Sequence, residues 1–233
     1  MIDRYTLTSS PGQLKTTFPF LTEMPVFDAQ YNASPAKHLP VATLQAPTKI
    51  QNFRWGFISG LSNNKKMSHR LFNADIVQGL SKPSIKKSLS RDRCIIFATG
   101  FYVWKLLSKK MLTPHYAHFE SGQPFAIAGF WEEKDEFVEH STDSFMMLTR
   151  PANSHISEYQ QDMPFILPHD KISNWLDPGF DVQECISWME NAPSGTLSIY
   201  PVSPAINHVD LNDERLIKRS LPADQHGNYT LFG

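Results

Sequence analysis

Short stretches rich in β-branched, aromatic and aliphatic residues recur along the chain, each bounded by turn-forming residues. They are Val41–Leu44, Ile50–Ile58, Cys94–Leu106, His115–Phe119, Phe125–Trp131, Phe145–Arg150, Phe165–Leu167 and Leu197–Val202. Runs of this length and composition predict strands. Helical spacing is weaker and local. Ile85 and Leu89 stand four apart in a lysine-rich stretch opened by Pro83-Ser84, and Val182, Cys185, Ile186 and Met189 follow Pro178-Gly179 at helical intervals. Clustered strands with a few helices between them predict an α+β fold, with a strongly curved, barrel-like antiparallel sheet and flanking helices.

Composition adds a core and removes some alternatives. The 233 residues are 41% hydrophobic and 12% aromatic, enough to fill a substantial interior. Seventeen prolines and eleven glycines are scattered, with no biased linker and no internal repeat, so a single domain over 1–233 is expected. No basic-then-apolar leader opens the chain and no stretch of about 18 apolar residues occurs, which predicts a cytoplasmic protein outside the membrane. The two cysteines, Cys94 and Cys185, form neither a disulfide framework nor a metal-binding CxxC, and Cys94 sits in the apolar run Cys94-Ile-Ile-Phe97, where a buried thiol is expected.

The net charge of −1 gives no average attraction to nucleic acid, but the charge is segregated. Between Lys65 and Arg93 lie eight basic residues (Lys65, Lys66, Arg70, Lys82, Lys86, Lys87, Arg91, Arg93) against the acidic Asp75 and Asp92. Such a run is either a solvated helix face or a phosphate-contacting patch.

Generic catalytic motifs are missing. His115 and His118 form an HxxH, but in a strand a spacing of three puts the rings on opposite faces, so no shared metal is expected. Phosphate-loop, dinucleotide, zincin and hydrolase-elbow motifs do not occur. Glu132-Glu133 and Asp135-Glu136 fall in a charged turn and read as solvated loop rather than acid/base pairs. No metal or cofactor is expected.

Longer motifs are more specific. The chain opens Met1-Ile-Asp-Arg-Tyr-Thr-Leu7 and continues through Tyr31-Asn-Ala-Ser-Pro35, Trp55-Gly56, Asn73-Ala74, Arg93-Cys-Ile-Ile-Phe-Ala-Thr-Gly-Phe-Tyr-Val-Trp-Lys105, Gln160-Gln-Asp-Met-Pro164 and Pro201-Val-Ser203 with Asn207. In order and spacing this resembles the SRAP (SOS-response-associated peptidase) family over nearly the whole chain. The family pattern runs Met-Cys-Gly-Arg-Tyr/Phe, Tyr-Asn-x-x-Pro, Trp-Gly, Asn-Ala-Arg-x-Glu, Gly-Phe/Trp-Tyr/Phe-Glu-Trp, His-Asp/Glu-Arg-Met-Pro and Pro-Val-Ser. The resemblance implies a barrel-like α+β fold with a positively charged groove for single-stranded DNA. It also implies a mature N-terminal Cys whose amine and thiol trap the aldehyde of an abasic site as a thiazolidine, with a Glu and a His moving protons.

The chain departs from that pattern at its chemical centre. Ile2 stands at the Cys and has no nucleophile, and a bulky second residue keeps Met1 in place. Val103 falls on the Glu and Gln160 on the His, so neither position titrates. Asp75 falls on the Arg of Asn-Ala-Arg and reverses a charge, and the Leu61–Lys66 turn replaces a tryptophan-rich one. Arg4, Asn32, Asn73, Trp104 and Thr149 survive, together with the Lys82–Arg93 stretch. Arg4 and Asn73 are expected to face the groove, with Lys82, Lys86, Lys87 and Arg91 as further DNA contacts. Asn32, Trp104 and Thr149 also read as a turn, a core and a strand residue.

Three functions fit these residues. The leading one is a pseudoenzyme that binds single-stranded or abasic DNA in a DNA damage response without catalysis. The others are residual Schiff-base and lyase chemistry through the Met1 amine, and a protein-interaction module on the same scaffold.

Overall fold

The computed structural model describes residues 1–57, 72–108, 111–134, 142–188 and 196–229. Two sheets share the work of the predicted one. In the first, β1 (Tyr5–Leu7) lies between β2 (Gln30–Ala33) and β7 (Gly100–Ser108). Beyond β7 come β8 (Met111–Phe119) and, at the edge, β12 (Leu197–Pro201).

The second sheet runs β11 (Asp162–Pro164), β10 (Ser144–Pro151), β4 (Ala46–Trp55), β3 (His38–Thr43), β6 (Arg93–Ala98) and β9 (Phe125–Glu132), with β5 (Asn73–Asp75) alongside β10. Strand β9 also pairs with β10, from Ser144 opposite Glu132 to Met147 opposite Gly129, so the sheet curls back on itself. The return to β4 rests on only Ser144 opposite Arg54 and Phe145 opposite Trp55, which leaves a strongly curled sheet rather than a regular barrel.

The helices are short. They are α1 (Pro11–Thr17), α2 (Ile76–Ser81), α3 (Pro83–Arg91), α4 (Ile172–Trp175) and α5 (Cys185–Trp188). Ser10 opens α1 by a reciprocal cap with Gln13. Pro83 starts α3, whose Leu89 is buried while Lys86 and Lys87 face outward.

Three strand expectations are corrected. The Cys94–Leu106 run is two strands, β6 and β7, because the chain turns from one sheet into the other at Thr99-Gly100. The Phe165–Leu167 run is not a strand: β11 ends at Pro164, and Ile166 makes a single bridge to Ile127. The sheet is also not wholly antiparallel, since β10 runs parallel to both β4 and β5. No local pattern distinguishes a parallel from an antiparallel neighbour when both faces are buried.

Between the sheets lies a core holding Tyr5, Trp55, Phe97, Phe101, Phe145 and Trp175, all fully buried. A smaller cluster of Tyr102, Tyr116, Val202, Ile206 and Leu216 fills the opposite face of the first sheet. Strand β1 is the seam. Thr6 and Thr99 join hydroxyls at 2.9 Å, Thr6 does the same with Tyr116, and the Thr99 amide donates to the Thr6 carbonyl at 2.7 Å. That seam holds the first residues of the chain at the meeting point of the two sheets.

Candidate functional site at the N-terminus

Ile2 is buried in the main core, so an apolar anchor precedes β1, and Met1 is 68% exposed. The terminal ammonium of Met1 lies 2.8 Å from Asp162 Oδ1. Asp162 belongs to β11, and the Gln160 side-chain amide donates to its backbone carbonyl at 2.7 Å. The Asn73 amide, from β5, donates to the Ile2 carbonyl. Residues 1–2, 73 and 160–162 thus meet in space although they are far apart in sequence.

Asp3 and Arg4 complete the surroundings. Arg4 Nη1 donates to the Asp3 carbonyl at 2.6 Å and lies 3.3 Å from the Asp3 carboxylate. Burial pushes the Asp3 carboxyl above the usual range, although the Arg4 guanidinium and the Met1 ammonium pull the other way. Asp3 Oδ1, Arg4 Nε and Asn73 Oδ1 are buried with no hydrogen-bond partner among the described residues. Such atoms are uncommon in a packed protein.

Two clefts share residues with this corner. One of about 420 Å³ is lined by Asn73, Asp75, Gln78, Lys82, Ser84, Ser88 and Glu132 together with Phe130 and Met146. The other, about 390 Å³, holds Arg4, Lys37 and Asp210 beside the Ser34–Lys37 turn. In that turn Ala36 takes a left-handed backbone at φ 74°, an arrangement that costs an alanine roughly 1 kcal/mol. Burial and the nearby Arg4 lower the Lys37 ammonium, and its Nζ donates to the Asn32 carbonyl at 2.8 Å.

Val103 is fully buried in the main core. Directly across the sheet from it stands His115, buried against the Tyr159 ring at 4.9 Å and held neutral by burial, which lowers its basicity. His118 instead stacks on Tyr116, so the two rings of the HxxH do face opposite ways. Among the described residues no group of three or more His, Cys, Asp or Glu side chains could hold a metal ion.

Of the expected contacts, Arg4 and Asn73 reach the N-terminal corner, and Lys82 reaches the adjoining cleft. Lys86, Lys87 and Arg91 are exposed along α3. Arg93 leaves the patch: it is fully buried and donates to the carbonyls of Trp175, Leu89, Ser90 and Asp177. Asp75 caps α2, accepting from the Gln78 amide at 2.8 Å. Lys65, Lys66, Arg70 and the Leu61–Lys66 turn lie outside the described residues.

Asn32 does bond backbone, but across the fold to Ile206, His208 and Leu211 rather than within its own turn. Trp104 packs at the edge of the smaller cluster, and Thr149 is a buried strand residue of β10. Asp3, Lys37, Asp162 and Asp210 were not singled out from the sequence. A motif-by-motif reading could have flagged two of them, since Asp3 falls on the Gly of Met-Cys-Gly-Arg and Asp162 on the Arg before Met-Pro.

Fold and motif order together define the class. The family model described as SOS response associated peptidase (SRAP) matches residues 1–209, and the chain belongs to that family. It is 26% identical over 221 residues to the abasic site processing protein YoaM of Bacillus subtilis, covering 93% of this chain and 97% of that one. It is 27% identical over 222 residues to YoqW of the same organism, also an abasic site processing protein, covering 94% and 99%. A crystal structure of a Bacteroides thetaiotaomicron protein superposes with a TM-score of 0.77 at 20% identity, covering 94% of this chain and 99% of that one. A Bordetella bronchiseptica protein gives 0.69 at 19%, covering 86% and 99%.

Proposed function

We propose that this chain is a binder of single-stranded or abasic DNA, of the kind its abasic-site-processing relatives act on, that makes no thiazolidine crosslink. Relative to that reaction it is a pseudoenzyme. The observation that carries this reading is the N-terminus: Ile2 is packed into the core where a thiol would be needed, while Val103 is fully buried and Gln160 donates to the Asp162 carbonyl. The binding half of the reading rests on the kinship, on Lys82, which lines the cleft that holds Asn73, and on Lys86, Lys87 and Arg91, exposed along α3. Each phosphate neutralised on a single strand contributes a slope of about −0.7 to the dependence of log affinity on log salt.

The test is a binding titration on intact and abasic single strands at several salt concentrations, with a denaturing gel of the abasic complex. Expected are salt-dependent binding and no adduct that survives denaturation without a reductant. Replacing Lys86, Lys87 and Arg91 by Gln together should flatten the salt slope by about 2. A reductant-independent crosslink would overturn the loss of the thiazolidine reaction. No binding at low salt would overturn the DNA reading in favour of a protein partner.

A further inference from the structure

The cleft that holds Asn73 meets β9 at Phe130 and Glu132. At the other end of that strand, about 13 Å away along it, a separate cavity of about 280 Å³ opens beside Phe125 and Ala126. The end of α1, the turn between β8 and β9 and the segment from Ile166 to Ile172 close around it. Its interior is aromatic and aliphatic, made by Phe18, Phe119, Phe125, Ile166, Leu167 and Ile172, all members of the main core. The Phe119 and Phe125 rings meet edge to face at 5.3 Å, and Phe97 backs Phe18 at 5.2 Å, so the wall is held from behind.

Thr17, Ser121, Gln123 and His169 supply the polar side chains, and no described Asp, Glu, Lys or Arg lines the cavity. Thr17 Oγ1 donates to Gln123 Oε1 at 2.9 Å, which fixes that amide and leaves Gln123 Nε2 a donor without a partner among the described residues. The Gln123 backbone N–H donates to Ser121 Oγ at 3.3 Å, so the hydroxyl keeps its own hydrogen to give. His169 is exposed and lies over the Phe18 ring at 6.1 Å with the planes 29° apart, which carries the aromatic surface outward to solvent.

This lining selects a ligand by size and by charge. A void of about 150 Å³ walled by aliphatic and aromatic side chains accepts benzene, so the larger cavity here has room for one ring and a substituent. A charged head group would lose hydration with no opposite charge to meet it, whereas an uncharged carbonyl oxygen accepts from an amide and a hydroxyl. We propose that the cavity binds an uncharged, single-ring aromatic compound bearing a carbonyl group, an aromatic amide in the simplest case. The ring lies against Phe18, Phe119 and Phe125, and the carbonyl oxygen accepts from Gln123 Nε2 and the Ser121 hydroxyl. The site shares no residue with the N-terminal corner, so it goes beyond the DNA-binding reading and does not depend on it.

The test titrates the full chain with benzamide and follows backbone amide shifts by NMR, with benzoate, benzylammonium and toluene as comparison probes. Expected are saturable shifts centred on residues 17–18, 119–126 and 166–172. A Kd on the order of 1 mM or below is expected for benzamide, with both charged probes at least about tenfold weaker. Gln123 and Ser121 are exposed, so each can be replaced without disturbing the core. Gln123→Ala should weaken benzamide about fivefold and Ser121→Ala about threefold, while toluene stays within about twofold of its wild-type affinity.

No saturable shift at about 20 mM benzamide, or shifts centred on the cleft that holds Asn73, would overturn the site. Benzoate or benzylammonium binding as tightly as benzamide would overturn the preference for an uncharged head group. Toluene matching benzamide on the wild type, or benzamide binding unchanged in both variants, would overturn the hydrogen-bonded carbonyl.

Discussion

Arg93 belongs to the basic run when the chain is read as a line and to the interior once it is folded. Its guanidinium donates to Leu89 and Trp175 at 2.6 Å each, to Asp177 at 2.5 Å and to Ser90 at 3.3 Å, and Trp175 and Phe180 lie against it at 5.8 Å. It therefore ties the C-terminal turn of α3 to the segment that follows α4. Arg93→Met would leave those carbonyls buried without donors, and a loss of roughly 3 kcal/mol or more is expected in urea unfolding.

Asp3 makes the opposite prediction. Because its folded-state carboxyl is raised, protonation is easier in the native protein than in the unfolded chain. The stability this group contributes is present below the unfolded value of about 3.8 and is lost as pH rises through the raised one. Asp3→Asn should therefore melt above the wild type at about pH 7, and the gap should close as pH is lowered towards 4. A variant less stable than the wild type at neutral pH would show that the Arg4 contact outweighs burial.

At the scale of elements, the sheet strands follow their alternation, while the short helices depend on their ends. Asp75 looked like a reversed charge in a phosphate contact, and it is the N-cap of α2. The two roles separate by substitution. Asp75→Ala should lower stability by about 1 kcal/mol, whereas Asp75→Asn keeps a capping side chain and should stay within about 0.5 kcal/mol of the wild type. If single-stranded DNA passes over this cleft, Asp75→Asn binds it more tightly at low salt, and unchanged affinity would place the strand elsewhere.

The two packed sheets also decide the fate of groups that are chemically ordinary in isolation. Cys94 and Cys185 are both buried, and burial pushes the Cys185 thiol up to about 12 and the Cys94 thiol higher still. Iodoacetamide at neutral pH should modify neither in the native protein and both in denaturant, with a midpoint that matches the loss of circular dichroism. Early labelling of Cys185 alone would mean that the α4–α5 region opens independently of the sheets.

Most strands, the amphipathic α3 and the apolar environment of Cys94 were legible in the sequence because they depend on neighbours one to four positions away. The family was legible in motif order. Elements without a local signal were not: β1 and β5 are three residues each, and their partners lie scores of residues away. The same limit applies to the site. Residue types alone fixed that position 2 is an isoleucine, a side chain with no nucleophile. Only the tertiary structure decided that Asp162 meets the Met1 ammonium, that Asn73 reaches the Ile2 carbonyl and that Arg93 turns inward, because each joins segments whose approach is set by sheet curvature and core packing rather than by any pattern along the chain.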